Sequence, residues 1–224
     1  MVDSMTEYMR EHNTIRSSDN ITFNLDELKP LPGKNILFIT GYPGSGKTTM
    51  INEIKMKYDN VEIISMDYLW VTLINVQQKR YLDTDRRKKM GYLVCKYVDT
   101  VLSKDIDRFE GIQDWEDPRL VSMFEEFLIW LVVESKKSYM RGRIVVIEGT
   151  QITTLKRAYL QNKPLIITGT SLIKSYIRKA KRDMIPDLDW NHIKTQFNMI
   201  PVYKKYSRDL DELIEYMRTK NAIR

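Results

Sequence analysis

The chain reads as short apolar runs separated by longer stretches with helical spacing. Residues 35–40 (NILFIT) form a nearly continuous apolar run, the pattern of a strand buried on both faces of a parallel sheet. Residues 61–65 (VEIIS), 143–148 (RIVVIE) and 164–168 (PLIIT) repeat it. Between them lie helical stretches at 47–58 and 171–182, and two more at 190–199 and 202–218 on either side of Pro201. Residues 68–140 are dominated by helix signals broken near Gly111 and Pro118, which predicts three or four helices. The most apolar stretch, 127–133, is too short to span a bilayer and predicts a buried helix. Ahead of the first strand, residues 1–20 form a polar arm. Ile21, Phe23 and Leu25 then alternate with polar residues as in a short strand, and Pro30, Pro32 and Gly33 form a linker.

Strands alternating with helices predict an α/β fold, a three-layer α/β/α arrangement with a parallel sheet of four to five strands and a helical insertion after the second. The expected division is an arm and linker over 1–34 and one domain over 35–224, with the insertion at about 68–140. Ligands of such sheets sit beyond the carboxyl ends of the strands. That rule draws attention to the residues just after each strand: the glycine-rich turn, Asp67, Glu148 and the helix from 171.

Composition narrows the chemistry. Cys95 is the only cysteine, so an intrachain disulfide is excluded, and two histidines, His12 and His192, argue against a zinc site. A lone thiol, a polar start and the absence of a membrane-length apolar run predict a cytoplasmic protein without a membrane partner. A net charge of +6 over 224 residues suits an anionic ligand and is compatible with nucleic acid.

The turn Gly41-Tyr42-Pro43-Gly44-Ser45-Gly46-Lys47-Thr48-Thr49 matches G-x-x-x-x-G-K-[ST] without a mismatch. Glycines let the backbone curl so that successive N–H groups face a phosphate, and the helix that follows adds its positive end. In such turns the lysine reaches the β- and γ-phosphates and the threonine hydroxyl ligates Mg²⁺. Gly41 to Thr49 are therefore the candidate ATP-binding residues, and Thr48 a candidate magnesium ligand.

With "IISMDYLW", "VVIEGTQI" and "SLIKSYIRKAKRD" added to that turn, the chain resembles the P-loop kinases. The nearest types are 5′-polynucleotide kinases, zeta-type toxins, and nucleoside or gluconate kinases. The resemblance covers about residues 35–182. It implies an ATP- and Mg²⁺-dependent transfer of the γ-phosphoryl group to a hydroxyl of a nucleoside, a nucleotide sugar or a nucleic-acid 5′ end. It also implies a lid over about 171–189, mobile without ligand, that carries Arg178 and Arg182 to the transferring phosphoryl group. A solvated basic face is the plainer reading of those two arginines.

Asp67 suits the proton acceptor of a hydroxyl nucleophile, or else caps the helix after the second strand. Glu148 ends the third strand where many P-loop proteins carry Asp. It is a candidate to support the metal, position the acceptor or polarise a water, or to bond Thr150 or Gln151 in its own loop. The basic run 86–89 reads as a solvated stretch, and Tyr68, Trp70, Tyr81 and Tyr92 read as core in preference to base-stacking residues. Two other functions remain open: a nucleoside monophosphate kinase using Arg86, Arg87 and Arg157, and an NTP-hydrolysing switch in which Glu148 orients water. No N-K-x-D guanine signature is present.

Overall fold

The computed structural model describes residues 20–31, 33–69, 71, 91–112, 117–184 and 190–222. Its centre is the apolar run β2 (Ile36–Thr40), all five residues of which are buried. β2 pairs in parallel with β4 (Ile144–Glu148) on one side and β5 (Leu165–Ile167) on the other. β3 (Val61–Ser65) lies outside β4, also parallel. β1 (Ile21–Phe23) closes the other edge, antiparallel to β5, giving the order β1-β5-β2-β4-β3. β1 is the short strand expected near residues 21–25, so part of the expected arm-and-linker segment belongs to the sheet. The edge of β5 offers unpaired backbone groups, and β1 covers them while burying Phe23.

Alternation along β2 sends Leu37 and Ile39 to one face, where Ile51 and Ile54 of α1 (Lys47–Lys57) cover them. Ile36 and Phe38 point to the other face. There the core is filled from α2 (Tyr92–Thr100), α3 (Pro118–Glu134) and α6 (Trp190–Ala222). The sheet therefore has helices on both faces. The connections from β4 to β5 and onward are a 3₁₀ turn at Thr150–Thr154, a single turn α4 (Arg157–Leu160), and α5 (Leu172–Met184).

Within the expected insertion, Gly111 does mark a break, with φ of 74°. Pro118 opens α3: it stands at the first helical position, and the Asp117 carboxylate caps the Arg119 N–H at 2.9 Å. Residues 127–133 are helical but only half buried. Phe127, Leu128 and Leu131 face the core, while Ile129 and Val133 are 53% and 58% exposed, because the apolar run is longer than one helix face. A second expectation also needs correction. Residues 190–222 are one 33-residue helix with Pro201 inside it, not two helices. An internal proline forfeits one backbone hydrogen bond, at about 3 kcal/mol. Tyr203, Leu210, Leu213, Ile214 and Met217, all buried on one side of α6, outweigh that loss. Among the described residues no helix is long and apolar enough to cross a membrane.

Candidate functional site

The glycine turn connects β2 to α1, and its conformation depends on two absent side chains. A Cβ on Gly41 (φ 143°) would stand 2.2 Å from Thr168 Oγ1, and one on Gly44 (φ 81°) 2.8 Å from the Ser175 carbonyl oxygen. The turn is also held from behind. The Pro43 carbonyl oxygen accepts from the Ser175 hydroxyl at 2.6 Å and from the Tyr203 hydroxyl at 3.0 Å. Tyr42 is buried, donates to the Ser207 hydroxyl at 3.0 Å and stacks on Tyr203. The Ser45 and Thr168 hydroxyls are hydrogen-bonded to each other. These anchors engage the outer side of the turn, and they leave the unpaired N–H groups at the start of α1 available to an anion.

Lys47 folds back over this turn, its Nζ donating to the carbonyl oxygens of Gly41 at 3.2 Å and Tyr42 at 3.1 Å. Burial pushes its pKa below the ordinary lysine value. The charges of Glu148 and Asp67 oppose that shift, and Arg182 adds to it.

Beyond the carboxyl ends of β2, β3 and β4 opens a cleft of about 510 Å³. Pro43, Gly44, Gly46, Lys47, Thr48 and Thr49 form its floor. Asp67 enters from the turn after β3, Glu148 and Thr150 from the end of β4, and Arg178 and Arg182 from α5. Every residue singled out for catalysis or metal binding in the sequence therefore lines one cavity. Gly41, Tyr42 and Ser45 do not line it; they are buried within the turn and shape it. Thr48 and Glu148 place a hydroxyl and a carboxylate in the same cleft, hard oxygen donors of the kind Mg²⁺ takes alongside phosphate oxygens. No group of three or more His, Cys, Asp or Glu side chains suited to a metal occurs among the described residues.

Asp67 lies inside the helical turn 66–69, whose Met66 and Leu69 are buried while Asp67 and Tyr68 face outward. Its carboxylate accepts a hydrogen bond from Gln151 Nε2. Gln151, one of the partners considered for Glu148, thus serves Asp67 instead. Nothing local in the sequence signals this pairing across 84 residues. Glu148 is half-buried and stands level with Ile39 and Ser65 on the neighbouring strands, so three strand ends reach the cleft together.

α5 sits directly on the glycine turn. Leu172 and Ser175 are buried, and the Lys179 backbone nitrogen would be 3.3 Å from a Cβ on Gly44. The first two turns of the expected lid are thus fastened to the loop, while Arg178 and Arg182 project from α5 into the cleft. Residues 185–189 of that expected lid lie outside the described residues.

A second cleft of about 310 Å³ adjoins the first and shares Gly46, Thr49 and Arg178 with it. Its far wall is the loop after β5, where the Asn20 side chain accepts from the Gly169 N–H at 2.9 Å. Thr170 on that wall is buried, and its hydroxyl has no hydrogen-bond partner among the described residues.

Arg157 does not join either cleft. Its guanidinium donates to the Thr153 carbonyl oxygen at 2.7 Å and faces the charges of Glu212 and Asp209. Tyr68 and Tyr92 are 46% and 55% exposed, which corrects the expectation that they are core; Met66 with Leu69, and Leu93 with Val94, take the inward positions beside them. The run 86–89 and the Trp70 and Tyr81 side chains lie outside the described residues. No protein-family model matches the chain, and no curated protein matches it.

Proposed function

We propose that the chain is an ATP- and Mg²⁺-dependent phosphotransferase whose acceptor is a hydroxyl of a nucleoside, a nucleotide sugar or a nucleic-acid 5′ end. One observation carries this reading: Lys47 and Thr48, Asp67, Glu148, and Arg178 with Arg182 come from four separate chain segments and line a single cleft. The glycine turn is the ATP phosphate cradle of that cleft, making it a P-loop. The neighbouring cleft gives room for the nucleoside half of the donor.

The chain's own groups divide the work. Lys47 exchanges the Gly41 and Tyr42 carbonyls for β- and γ-phosphate oxygens, which restores to its ammonium the negative partners that burial makes valuable. Thr48 and Glu148 would hold a magnesium ion, which would neutralise phosphate charge when bound. Asp67 accepts the proton of the acceptor hydroxyl as that oxygen bonds to the γ-phosphorus. The bond from the γ-phosphorus to the β–γ bridging oxygen breaks, and ADP departs with the electron pair. Arg178 and Arg182 meet the charge on the equatorial oxygens.

The monophosphate-kinase reading loses Arg157, whose guanidinium is bound to a backbone carbonyl away from the cleft. The deciding experiment offers γ-labelled ATP with nucleosides, nucleoside monophosphates, nucleotide sugars and 5′-hydroxyl oligonucleotides. Label on a hydroxyl supports the proposal. Label only on monophosphates favours the monophosphate kinase, and release of inorganic phosphate alone favours a hydrolase.

A further inference from the structure

Gln151 is buried at the start of the turn after β4, and the two ends of its amide are treated unequally. Nε2 donates to Asp67 Oδ1, while Oε1 is buried without a hydrogen-bond partner among the described residues. Buried amides ordinarily satisfy both ends. Reversing this one would set Oε1 against a carboxylate oxygen, so Asp67 dictates the orientation. The surroundings accommodate it closely: a Cβ on Gly149 would lie 2.6 Å from Gln151 Oε1 and 3.0 Å from the Cβ of Met66, the residue before Asp67. Gly149 thus lets the turn after β4 close against the turn after β3.

The arrangement is a poor device for stability alone. Asp67 is exposed, and water would satisfy its carboxylate. A buried side chain instead leaves one polar atom unpaired in order to hold an exposed one. Unsatisfied groups of this kind collect where function requires a fixed geometry.

We infer that Gln151 is the positioning residue of Asp67. Its amide occupies Oδ1, fixes the plane of the carboxylate, and leaves Oδ2 as the oxygen presented to the acceptor hydroxyl. The inference rests on Asp67 being the proton acceptor of the proposed transfer.

The test uses the full chain with Gln151→Met, which keeps the length of the side chain and removes both polar ends, beside Asp67→Asn and the double variant. The acceptors are the nucleosides and 5′-hydroxyl oligonucleotides of the panel above. Gln151→Met is expected to lower kcat about 10- to 100-fold, the scale of a misplaced reacting group. The dissociation constant for ATP should stay within about twofold, since Gln151 lines neither cleft. The double variant should transfer no more slowly than Asp67→Asn alone, because Gln151 acts only through Asp67. The Gln151 side-chain NH₂ resonances in an ¹H–¹⁵N spectrum should move in Asp67→Asn. An unchanged kcat in Gln151→Met, losses that multiply in the double variant, or NH₂ resonances indifferent to Asp67→Asn each overturn the inference. Full transfer by Asp67→Asn, with those resonances moved, instead overturns the reading of Asp67 as base and leaves the bond as a structural tie only.

Discussion

The Ser175 hydroxyl reaches across 132 residues of sequence to donate a 2.6 Å hydrogen bond to the Pro43 carbonyl oxygen, so the helix that carries the arginines is fastened to the glycine turn. Tyr203 donates to the same oxygen from α6. Two donors on one acceptor make the single losses mild and the joint loss severe. Ser175→Ala or Tyr203→Phe alone is expected to lower stability by about 1 kcal/mol, a typical net hydrogen bond. Together they strand a carbonyl and should cost about 1–3 kcal/mol beyond the sum. Urea melts of the four proteins give the coupling; strict additivity would mean that the two bonds do not share an acceptor.

Gly44→Ala probes the same contact from the other side. The new methyl would lie 2.8 Å from the Ser175 carbonyl oxygen, which is backbone and cannot swing away, at a φ of 81° that itself costs an L-residue about 1–2 kcal/mol. The expected result is a lower melting temperature and loss of ATP binding by calorimetry. Gly46→Ala meets no atom of the described residues within 4 Å and should show only the backbone strain of its φ of 101°. Equal damage from both substitutions would remove the steric argument.

Lys47 should trade stability for function. Its folded pKa lies below the ordinary 10.5, chiefly because the ammonium is buried. Below the folded value both states are protonated, and the full cost of burying the charge falls on the native state. Between the folded value and 10.5 the unfolded chain binds more protons, so stability rises with pH and that cost fades. Lys47→Met is therefore expected to melt higher than the wild type at neutral pH, with the advantage shrinking as pH approaches 10.5. It should also abolish phosphotransfer. A variant less stable at neutral pH would show that the bonds to Gly41 and Tyr42 outweigh the desolvation of the charge.

Thr170→Val separates the second cleft from the first. The substitution removes a buried hydroxyl that has no partner among the described residues, so the free protein should be equally stable or more stable, by up to about 1 kcal/mol. If the donor's nucleoside half occupies this cleft, ATP affinity should fall severalfold while inorganic triphosphate affinity stays constant. A parallel change for both ligands would place the nucleoside elsewhere.

Local chemistry explains which of these features were readable in the sequence. β2 and the glycine turn were legible because strand, turn and helix are written in consecutive residues, each with its own steric demand. Asp67, Glu148 and the α5 arginines were legible as candidates because polar residues after parallel strands reach one sheet edge. What they touch was not legible. The Gln151–Asp67 and Ser175–Pro43 bonds depend on how crossovers bring distant turns together, and neither residue pair carries a spacing signature. The continuity of α6 through Pro201 failed the local rule for a similar reason: the aromatic and aliphatic residues that outweigh the break are valuable only against a core assembled from the rest of the chain. Tyr68 reads as core yet faces water, because aromatic content says nothing of which side of a helical turn is exposed.

The arginines of α5 give the sharpest division between binding and catalysis. Arg178 and Arg182 are four residues apart on one helix face, both exposed, and both line the cleft above Lys47. Arg182 lies near enough to contribute to lowering the Lys47 pKa, so cationic charge crowds the point where a γ-phosphate would sit. In the proposed transfer, as the bond from the γ-phosphorus to the bridging oxygen loosens, the transferring group flattens and its negative charge is spread over the three equatorial oxygens. A planar guanidinium can bridge two of them, whereas an ammonium meets only one at a time. The interaction then strengthens between ground state and transition state, which lowers the barrier more than it tightens binding. Arg178→Lys and Arg182→Lys are therefore each expected to slow single-turnover transfer about 10- to 100-fold while changing the ATP dissociation constant less than about threefold. Ser175 holds α5 in place in both variants, so a loss of helix position should not contribute. Single-turnover rates set beside calorimetric dissociation constants decide the matter. Small and equal effects on rate and affinity for both substitutions would reduce this face of α5 to a solvated row of positive charge.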